Sequence, residues 1–358
     1  MQVKSPAKIK ILIVDDSLTS QKLYRHIIAA DSRFEIVFVA SNGREAIEYV
    51  ALHKPDVVSM DINMPLMDGL EATRHIMQTN PVPIVIVSSL YEQSKLEMAM
   101  EVLEAGAVSI LPKPFGPGHP EHVRTAQKYL MMLKSMAEIK VVRRRPYLIH
   151  KNDKGNAENI TKHSDASLPD AEYRLLVIGA SAGGPESLKT ILNMLHTGFP
   201  LPIMIVQHID KHFAESYRLW LQSYSSIPIL LATDDQLLLP GHVYLAPGDK
   251  HLIVKSEGLA GLSNEAPVKG HRPSVGYLFS SACRIYGNKV IAVILSGMGN
   301  DGAQELKMLK DIGALTIGQN EASCLVYGMP GAAARLGALT RTLAPKDMAQ
   351  LFLYLLKY

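Results

Sequence analysis

The chain of 358 residues is 47% hydrophobic, which is enough apolar material for two ordinary domains with separate cores. Its formal net charge of +3 argues against a concentrated basic surface and therefore against nucleic acid as a partner. Two cysteines, Cys283 and Cys324, are too few for a disulfide framework. The N-terminal segment lacks the form of a signal peptide, and no apolar run reaches the roughly 18 residues of a membrane helix. We therefore expect a cytoplasmic protein that is not inserted in a membrane.

In the first part of the chain, residues 8–134, short apolar runs alternate with amphipathic stretches. The apolar runs, which we predict to be strands, are IKILIVDD, EIVFVA, DVVSMD, VPIVIVSS and AVSILPKP. Helices are predicted between them, for example over TSQKLYRHIIAA and GREAIEYVALH. Continuous Val and Ile runs separated by helices indicate a parallel sheet that is covered on both faces. The fold class predicted for this part is a doubly wound α/β domain.

Acidic side chains follow two of these strands. Asp15 and Asp16 end the first strand, and Asp61 ends the third. Ligands of an open parallel sheet bind at the carboxyl ends of its strands, and three carboxylates that meet there favour a divalent cation such as Mg²⁺. Ser88 ends the fourth strand, and Lys113 ends the fifth, where its ammonium group can reach the same place. Taken singly, each aspartate is better explained as a helix N-cap or turn residue, but five matched positions favour a binding site.

Residues 8–130 resemble the receiver domain of two-component response regulators, which has a flavodoxin-like fold. The resemblance is carried by the acidic pair, the aspartate in MDINMPLMDG, the hydroxyl after the fourth strand and the Lys-Pro pair. It implies that Asp61 accepts a phosphoryl group from a histidine kinase. It also implies Mg²⁺ ligands, namely Asp15, Asp16 and Asp61, and two switch residues that contact the phosphoryl oxygens, Ser88 and Lys113.

The composition changes between residues 135 and 170. The segment HKNDKGNAENITKHSDASLPDAE is polar and aperiodic, which is typical of an interdomain linker. Alternation resumes over residues 171–358, with strands predicted at RLLVIGA, LPIMIVQH, HVYLAPG, KHLIVK, KVIAVILSG and GALTIGQ. A β-hairpin is predicted around VYLAPGDKHLIV. We therefore predict a second doubly wound domain, a Rossmann-like α/β fold with a β-hairpin.

The stretch LLVIGASAGGPESL, residues 175–188, runs from a strand into a glycine-rich turn and then into a helix. The turn lacks the Gly-Lys-Ser/Thr of a Walker loop and the G-x-G-x-x-G of a dinucleotide site. It does contain G-x-S-x-G with Ser181 at its centre, an arrangement that exposes a nucleophilic serine between a strand and a helix. The motif is weak on its own, so the interpretation depends on a base and an acid elsewhere in the chain.

Two further strands supply a candidate base and a candidate acid. His208 directly follows LPIMIVQ, and a right-handed crossover should place this strand parallel to the strand before Ser181 and next to it. The strand KVIAVILSG is followed by MGNDG, which brings Asp301 to the same edge. Singly, His208 is better explained as a strand-end histidine and Asp301 as a turn residue. Together with Ser181 they supply the residue types of a catalytic triad, in the chain order Ser, His, Asp.

Residues 175–345 resemble the catalytic domain of the chemotaxis protein-glutamate methylesterases, the CheB family. The matching stretches are VIGASAGGPES, VQHI, LPGHVYLAPGDKHL, HRPSV, ILSGMGNDGA and QNEASCLVYGMP. A receiver joined by a linker to this domain is also the family's layout, so the resemblance covers the whole chain. It implies four roles: nucleophile Ser181, general base His208, orienting acid Asp301, and the amide of Met298 as oxyanion donor.

The resemblance also implies the reaction. A serine hydrolase would demethylate glutamate methyl esters, and deamidate glutamines, on methyl-accepting chemoreceptors during bacterial chemotaxis adaptation. The unphosphorylated receiver would cover the triad edge until phosphorylation of Asp61, which needs Mg²⁺, whereas the ester chemistry needs no cofactor. The protein would work in the cytoplasm, recruited to receptor arrays. Two positions, Ala182 and Gly276, depart from common members and bear on rate and substrate preference rather than on reaction type.

Four other hypotheses compete with this one. A transcriptional regulator would need a helix-turn-helix with a basic recognition face, which the second half does not offer. A receiver-linked scaffold with an idle triad would keep its function when Ser181 is replaced. The same chemistry in a chemosensory pathway that does not control motility fits the residues equally. A general esterase would hydrolyse small esters without receptor membranes.

Overall fold

The computed structural model describes residues 7–89, 100–139, 141 and 172–356. The chain divides into two compact units, Met1–Tyr147 and Leu148–Tyr358. Most of the linker predicted over residues 135–170 lies outside the described residues. The last described helix of the first unit continues to Ala137, which is past the predicted receiver limit at residue 134.

The first unit is built on a five-stranded parallel sheet in the order β2-β1-β3-β4-β5. Its strands are β1 (Ile9–Val14), β2 (Phe34–Ala40), β3 (Val57–Met60), β4 (Ile84–Ser88) and β5 (Ser109–Pro112). Its helices are α1 (Leu18–Ala29), α2 (Gly43–Leu52), α3 (Gly69–Thr79) and α4 (His122–Ala137), and residues 100–105 are also helical. Every residue of β3 and β4 is buried, as continuous apolar runs predict for the centre of a parallel sheet.

Side-chain caps fix where three of these helices begin. Ser17, Asn42 and Asp68 each accept a backbone N–H from the first turn of α1, α2 and α3, respectively. The aspartates at the strand ends are therefore not the caps of these helices. This removes one of the two ordinary explanations for Asp15 and Asp61, which the sequence alone left open.

The second unit contains a seven-stranded parallel sheet, ordered β15-β14-β13-β6-β7-β10-β8, and a three-stranded antiparallel sheet, ordered β11-β12-β9. The strands of the first half of this unit are β6 (Leu175–Ala180), β7 (Ile203–Gln207), β8 (Ile229–Leu231), β9 (Gln236–Leu237) and β10 (Val243–Leu245). Those of the second half are β11 (His251–Ser256), β12 (Leu259–Ser263), β13 (Val290–Ile294), β14 (Leu315–Gln319) and β15 (Arg341–Leu343). The helices are α5 (Gly184–Met194), α6 (Ala214–Gln222), α7 (Val275–Tyr286), α8 (Ala303–Asp311), α9 (Met329–Arg335) and α10 (Pro345–Leu355).

The hairpin predicted around VYLAPGDKHLIV is wrong in position. β10 pairs in parallel with both β7 and β8, and the Ala246 N–H continues this ladder by donating to the Ile205 carbonyl. The segment Pro247–Lys250 therefore connects the two sheets and does not reverse a strand. The hairpin is formed by β11 and β12, whose two-residue connection ends at Gly258 with φ +76°. The residues of β10 are apolar and buried, and they fit between two strands of the larger sheet. The turn-forming pair Pro247-Gly248 that follows β10 does not indicate this placement.

The centre of the seven-stranded sheet positions the site. Strand β6 lies between β7 and β13, so the chain leaves β6 to one side first and returns later to the other. Such a reversal opens a crevice at the carboxyl ends of the strands, where α/β proteins bind ligands. All residues of β6, β7, β13 and β14 are buried, which makes this part of the sheet a rigid base.

Within the described ranges, no helix combines the length and the apolar character needed to cross a membrane.

Candidate functional site

Ser181 and His208 follow two neighbouring strands of the seven-stranded sheet. Strands β6 and β7 pair in parallel up to Ala180 and Gln207, so the two candidate residues are the next ones along each chain. The His208 N–H donates to the Ala180 carbonyl at 3.0 Å, and the Ser181 N–H donates to the Ser296 carbonyl, which follows β13, also at 3.0 Å. The predicted parallel and adjacent arrangement of these strands is confirmed. Both residues lie at the crevice beside β6.

Asp301 is buried, 4% exposed, and its carboxylate accepts four hydrogen bonds. The donors are His208 Nε2 (2.9 Å), Ser274 Oγ (2.7 Å), Val275 N (2.7 Å) and Gly276 N (3.1 Å). Burial by itself raises the pKa of this carboxyl group, but the hydrogen bond and charge of His208 and the bonds from Ser274 and Val275 lower the pKa well below its usual range. The group is therefore an ionised acceptor at the N-terminus of α7, where a negative charge is favoured.

His208 has one ring nitrogen engaged and one free. Its side chain is 8% exposed, Nε2 faces Asp301, and the buried Nδ1 has no partner among the described residues. Because an ionised carboxylate only accepts, Nε2 carries the ring proton and Nδ1 presents a lone pair. Ser181 is half-buried, and no hydrogen bond joins its hydroxyl to His208 in this structure. Such contacts are often long in enzymes without substrate.

The turn that carries Ser181 is held by a buried glutamine that the sequence prediction did not include. Gln207 Nε2 donates to the carbonyl of Ser181 at 2.9 Å and to that of His208 at 3.3 Å. One amide group therefore ties the main chain of the candidate nucleophile to that of the candidate base. The feature of the sequence that could have indicated Gln207 is a polar residue at the end of an apolar strand, directly before His208.

Met298 lies on the loop after β13. The preceding Gly297 packs against Ser181, because a Cβ added at Gly297 would be 2.8 Å from the Ser181 Cβ. The Gly297 N–H is used in a bond to Val326, whereas the Met298 N–H donates no backbone hydrogen bond in the described chain. An amide with no partner beside the serine suits an oxyanion donor, and this role for Met298 stays a prediction.

Gly276 and Ala182, the two positions where the sequence departs from the family that it resembles, each adjoin a candidate site residue. Gly276 donates its N–H to Asp301, and a Cβ there would be 3.0 Å from the Glu305 carboxylate and 3.3 Å from Asp301 Oδ1. A side chain at this position would therefore require Glu305 to move, and an acidic one would add a charge beside the Asp301 carboxylate. The Ala182 carbonyl accepts the Ser296 hydroxyl at 2.7 Å, so its backbone still helps to fix the turn.

His271, from the matching stretch HRPSV, is a second residue absent from the predicted site. Its ring stacks on that of His208 with the centroids 4.0 Å apart and the planes 6° apart. The feature of the sequence that could have indicated His271 is its place in HRPSV, the same stretch as Ser274, whose hydroxyl donates to Asp301.

The acidic pocket of the first unit brings together the residues predicted for it. Carboxylate oxygens of Asp15, Asp16 and Asp61 lie within 4.8 Å of one another. Lys113 Nζ is 2.7 Å from a carboxylate oxygen of both Asp15 and Asp61. Burial raises the pKa of Asp61, and this outweighs the Lys113 charge, which lowers it. Ser88 is buried, and its carbonyl accepts the Lys113 N–H at 3.0 Å.

This pocket fits a magnesium ion by the chemistry of its donors. Asp15 and Asp61 are buried and Asp16 is exposed, so the three carboxylates form a cluster with one open side. Hard oxygen ligands that leave room for water and phosphate are what Mg²⁺ prefers. The Lys113 ammonium now compensates two of the carboxylates, which otherwise would repel each other.

The two units match two family models. Residues 11–123 match the response regulator receiver domain, and residues 176–352 match the CheB methylesterase model. The fold and these matches define a two-domain protein in which a response regulator receiver precedes a CheB methylesterase domain. The chain is 44% identical to protein-glutamate methylesterase/protein-glutamine glutaminase 4 of Geobacter metallireducens, over 94% of this chain and 96% of that relative. It therefore belongs to the CheB family.

A second relative and a solved structure agree with this assignment. The chain is 41% identical to a protein-glutamate methylesterase/protein-glutamine glutaminase of Nitrosospira multiformis, over 95% of both proteins. The crystal structure of the CheB methylesterase catalytic domain of Thermotoga maritima matches with a TM-score of 0.50 and 35% identity. That match covers 51% of this chain and 98% of the solved domain.

Proposed function

We propose that this protein is a protein-glutamate methylesterase and protein-glutamine glutaminase, that its substrates are methyl-accepting chemoreceptors, and that phosphorylation of Asp61 raises its activity. The observation that carries the hydrolase assignment is the geometry around His208. Asp301 holds Nε2 at 2.9 Å and leaves the lone pair of Nδ1 free, on a residue whose main chain is tied to that of Ser181 through Gln207. A base oriented in this way is what a serine nucleophile needs.

The proposed reaction uses this chain's residues in two halves. Ser181 Oγ attacks the ester carbonyl while its proton moves to His208 Nδ1, and Asp301 stabilises the imidazolium that forms. The oxyanion accepts the Met298 N–H, an interaction whose loss typically costs a factor of about 10²–10³ in rate. His208 returns the proton to the departing methanol, or to ammonia when the substrate is a glutamine. Water, deprotonated by His208, then attacks the serine ester, and His208 returns that proton to Ser181 Oγ as the glutamate is released.

The receiver residues have separate proposed roles. Asp15, Asp16 and Asp61 would hold Mg²⁺, which neutralises charge during phosphoryl transfer. The carboxylate of Asp61 would take the phosphoryl group from the histidine kinase of the chemotaxis pathway. Lys113 and Ser88 would then contact the phosphoryl oxygens. We place this activity in the cytoplasm, at arrays of the chemoreceptors that are its substrates.

Methanol release from methylated receptor membranes tests the proposal, with and without a small phosphodonor and Mg²⁺. Release should rise with the phosphodonor, should vanish in Ser181→Ala because the nucleophile is lost, and should not respond to the phosphodonor in Asp61→Asn. Ser226→Ala and Glu48→Gln remove an exposed hydroxyl and an exposed carboxylate of the two units and should behave like the unmodified protein.

Three of the competing hypotheses predict a different result of this experiment. An idle triad gives no release that depends on Ser181, even with the phosphodonor. Release from small esters at an equal rate without receptor membranes would indicate a general esterase. Activity on receptors of one chemosensory pathway but not on those that control swimming would keep the chemistry and change the pathway.

A further inference from the structure

His271 lies against the proposed general base without a role in the proposed mechanism. Its ring faces the His208 ring at a centroid distance of 4.0 Å, and the two planes are within 6° of parallel. The ring is half-buried. The contact covers one face of the His208 ring and occupies neither ring nitrogen at its edge, where Nε2 binds Asp301 and Nδ1 is free.

The backbone around His271 holds this ring in place from both sides. Val268 and His271 exchange two backbone hydrogen bonds, of 3.0 and 2.9 Å, and so close a tight turn. The central residues of the turn, Lys269 and Gly270, have φ values of +49° and +85°, which is the backbone of a type I′ turn. Further along the chain, Ser274 donates its hydroxyl to the triad carboxylate at 2.7 Å. The main chain on both sides of His271 is therefore held by hydrogen bonds, and it fixes the position of the ring against His208.

His271 is neutral near pH 7, because its pKa is lowered. Burial lowers the pKa of His271, the His208 ring and Lys269 lower it further, and Asp301 raises it; the resulting pKa is about 4. His208, Asp301 and Lys269 are the titratable groups that act on this ring in the described structure. A proton taken from Ser181 therefore stays on His208, which has the carboxylate partner.

We propose that His271 is a positioning residue whose neutral ring holds His208 in its plane and stabilises the imidazolium formed when His208 accepts the Ser181 proton. A cation over the face of an aromatic ring is attracted by the ring's quadrupole, and the attraction is larger in a site shielded from water. Before proton transfer, the two neutral rings keep their stacking contact. The inference rests on the proposed function and adds a residue to it.

Two substitutions of His271 in the full-length protein distinguish the effect of an aromatic face from the effect of side-chain volume. His271→Leu fills the space without an aromatic face, and it should lower kcat for methanol release about fivefold with little change in KM, as expected for a lost cation–π contact. It should also move the acid limb of the kcat/KM profile down by about half a pH unit, because protonated His208 loses a stabilising partner. His271→Phe restores a face that cannot titrate and should recover both properties.

Two results would overturn the proposal. If His271→Leu matches the unmodified protein in rate and pH profile, the stack has no function. If the Leu and Phe variants lose activity equally, an aromatic face does not account for the role of His271. Thermal unfolding of each variant checks that both are folded.

A measurement without substrate separates this proposal from the proposed function. The ring signals of His208 in NMR spectra, assigned with His208→Gln, should titrate at a lower pH in His271→Leu than in His271→Phe. Equal titration in both variants contradicts the proposal, whatever the activity. Absence of any Ser181-dependent release in the unmodified protein contradicts the proposed function and leaves the NMR result to decide the role of His271.

Discussion

The carboxylate of Asp301 orients His208 only because it can accept every hydrogen bond directed at it. A hydroxyl, two backbone N–H groups and an imidazole N–H converge on its two oxygens. An asparagine has one oxygen and an NH₂ group, so at least one of these donors would face another donor. The His208 ring would then lose the partner that fixes its proton on Nε2.

Asp301→Asn should therefore lower kcat for methanol release by about 10³–10⁴-fold, the loss that a triad suffers when its acid becomes an amide. The control is Asp311→Asn at the end of α8, where the exposed carboxylate pairs with Lys307 and contacts no site residue. This control should keep the rate of the unmodified protein. An Asp301→Asn enzyme with nearly full activity would show that Asp301 does not orient the base.

At the scale of elements, the turn between β6 and α5 depends on the backbone of Gly183. This residue has φ +77°, in the left-handed region that favours glycine. An added Cβ would also lie 2.5 Å from the Leu325 Cβ and 2.6 Å from Ser296 Oγ. Ser296 Oγ in turn donates to the Ala182 carbonyl and accepts the Val326 N–H, so the turn, β13 and the following loop are packed as one unit.

Gly183→Ala should destabilise the protein by about 2–4 kcal/mol, from backbone strain and overpacking together, and should displace Ser181 enough to lower kcat at least about 100-fold. Gly337→Ala is a matched control, because Gly337 also has a left-handed φ, +64°, but an added Cβ there meets nothing within 4 Å. It should lose only about 1 kcal/mol of stability, from strain alone, and none of its activity. Denaturant unfolding and methanol release measure both effects. Equal losses in the two variants would mean that the close packing at Gly183 is unimportant.

At the scale of the whole molecule, the two units divide the chemistry between them. The carboxylate cluster of the first unit suits a metal ion and a phosphoryl group. In the proposed mechanism the second unit moves a proton between the hydroxyl of Ser181 and the imidazole of His208, which are groups of the chain itself. Regulation and hydrolysis should therefore respond to different conditions.

Removal of Mg²⁺ with a chelator should abolish the stimulation by the phosphodonor and leave the unstimulated release of methanol unchanged, because the proposed phosphoryl transfer to Asp61 would lose the cation that supports it. The variant Asp61→Asn serves as the control, since its release should be the same with and without the chelator. Loss of the unstimulated release on chelation would place a metal requirement in the hydrolase unit and contradict this division.

The sequence by itself determined the fold class and the family. Continuous Val and Ile runs predict buried parallel strands, and β3, β4, β6 and β7 are buried throughout. A residue placed directly after such a strand lies at the carboxyl edge of its own sheet, because parallel strands end together. Asp61 lies at this edge in the first unit, and Ser181 lies at it in the second. This is why candidate sites could be predicted from local patterns.

Only the tertiary structure decided which residues surround those sites. Nothing local distinguishes β10, placed between β7 and β8, from one arm of a hairpin, so the hairpin was predicted in the wrong place. Gln207, His271 and the contact of Gly276 with Glu305 were likewise missed. The physical reason is the same in each case: strand order and side-chain contacts depend on packing between segments far apart in the chain, whereas periodicity and motifs report only on neighbours along it.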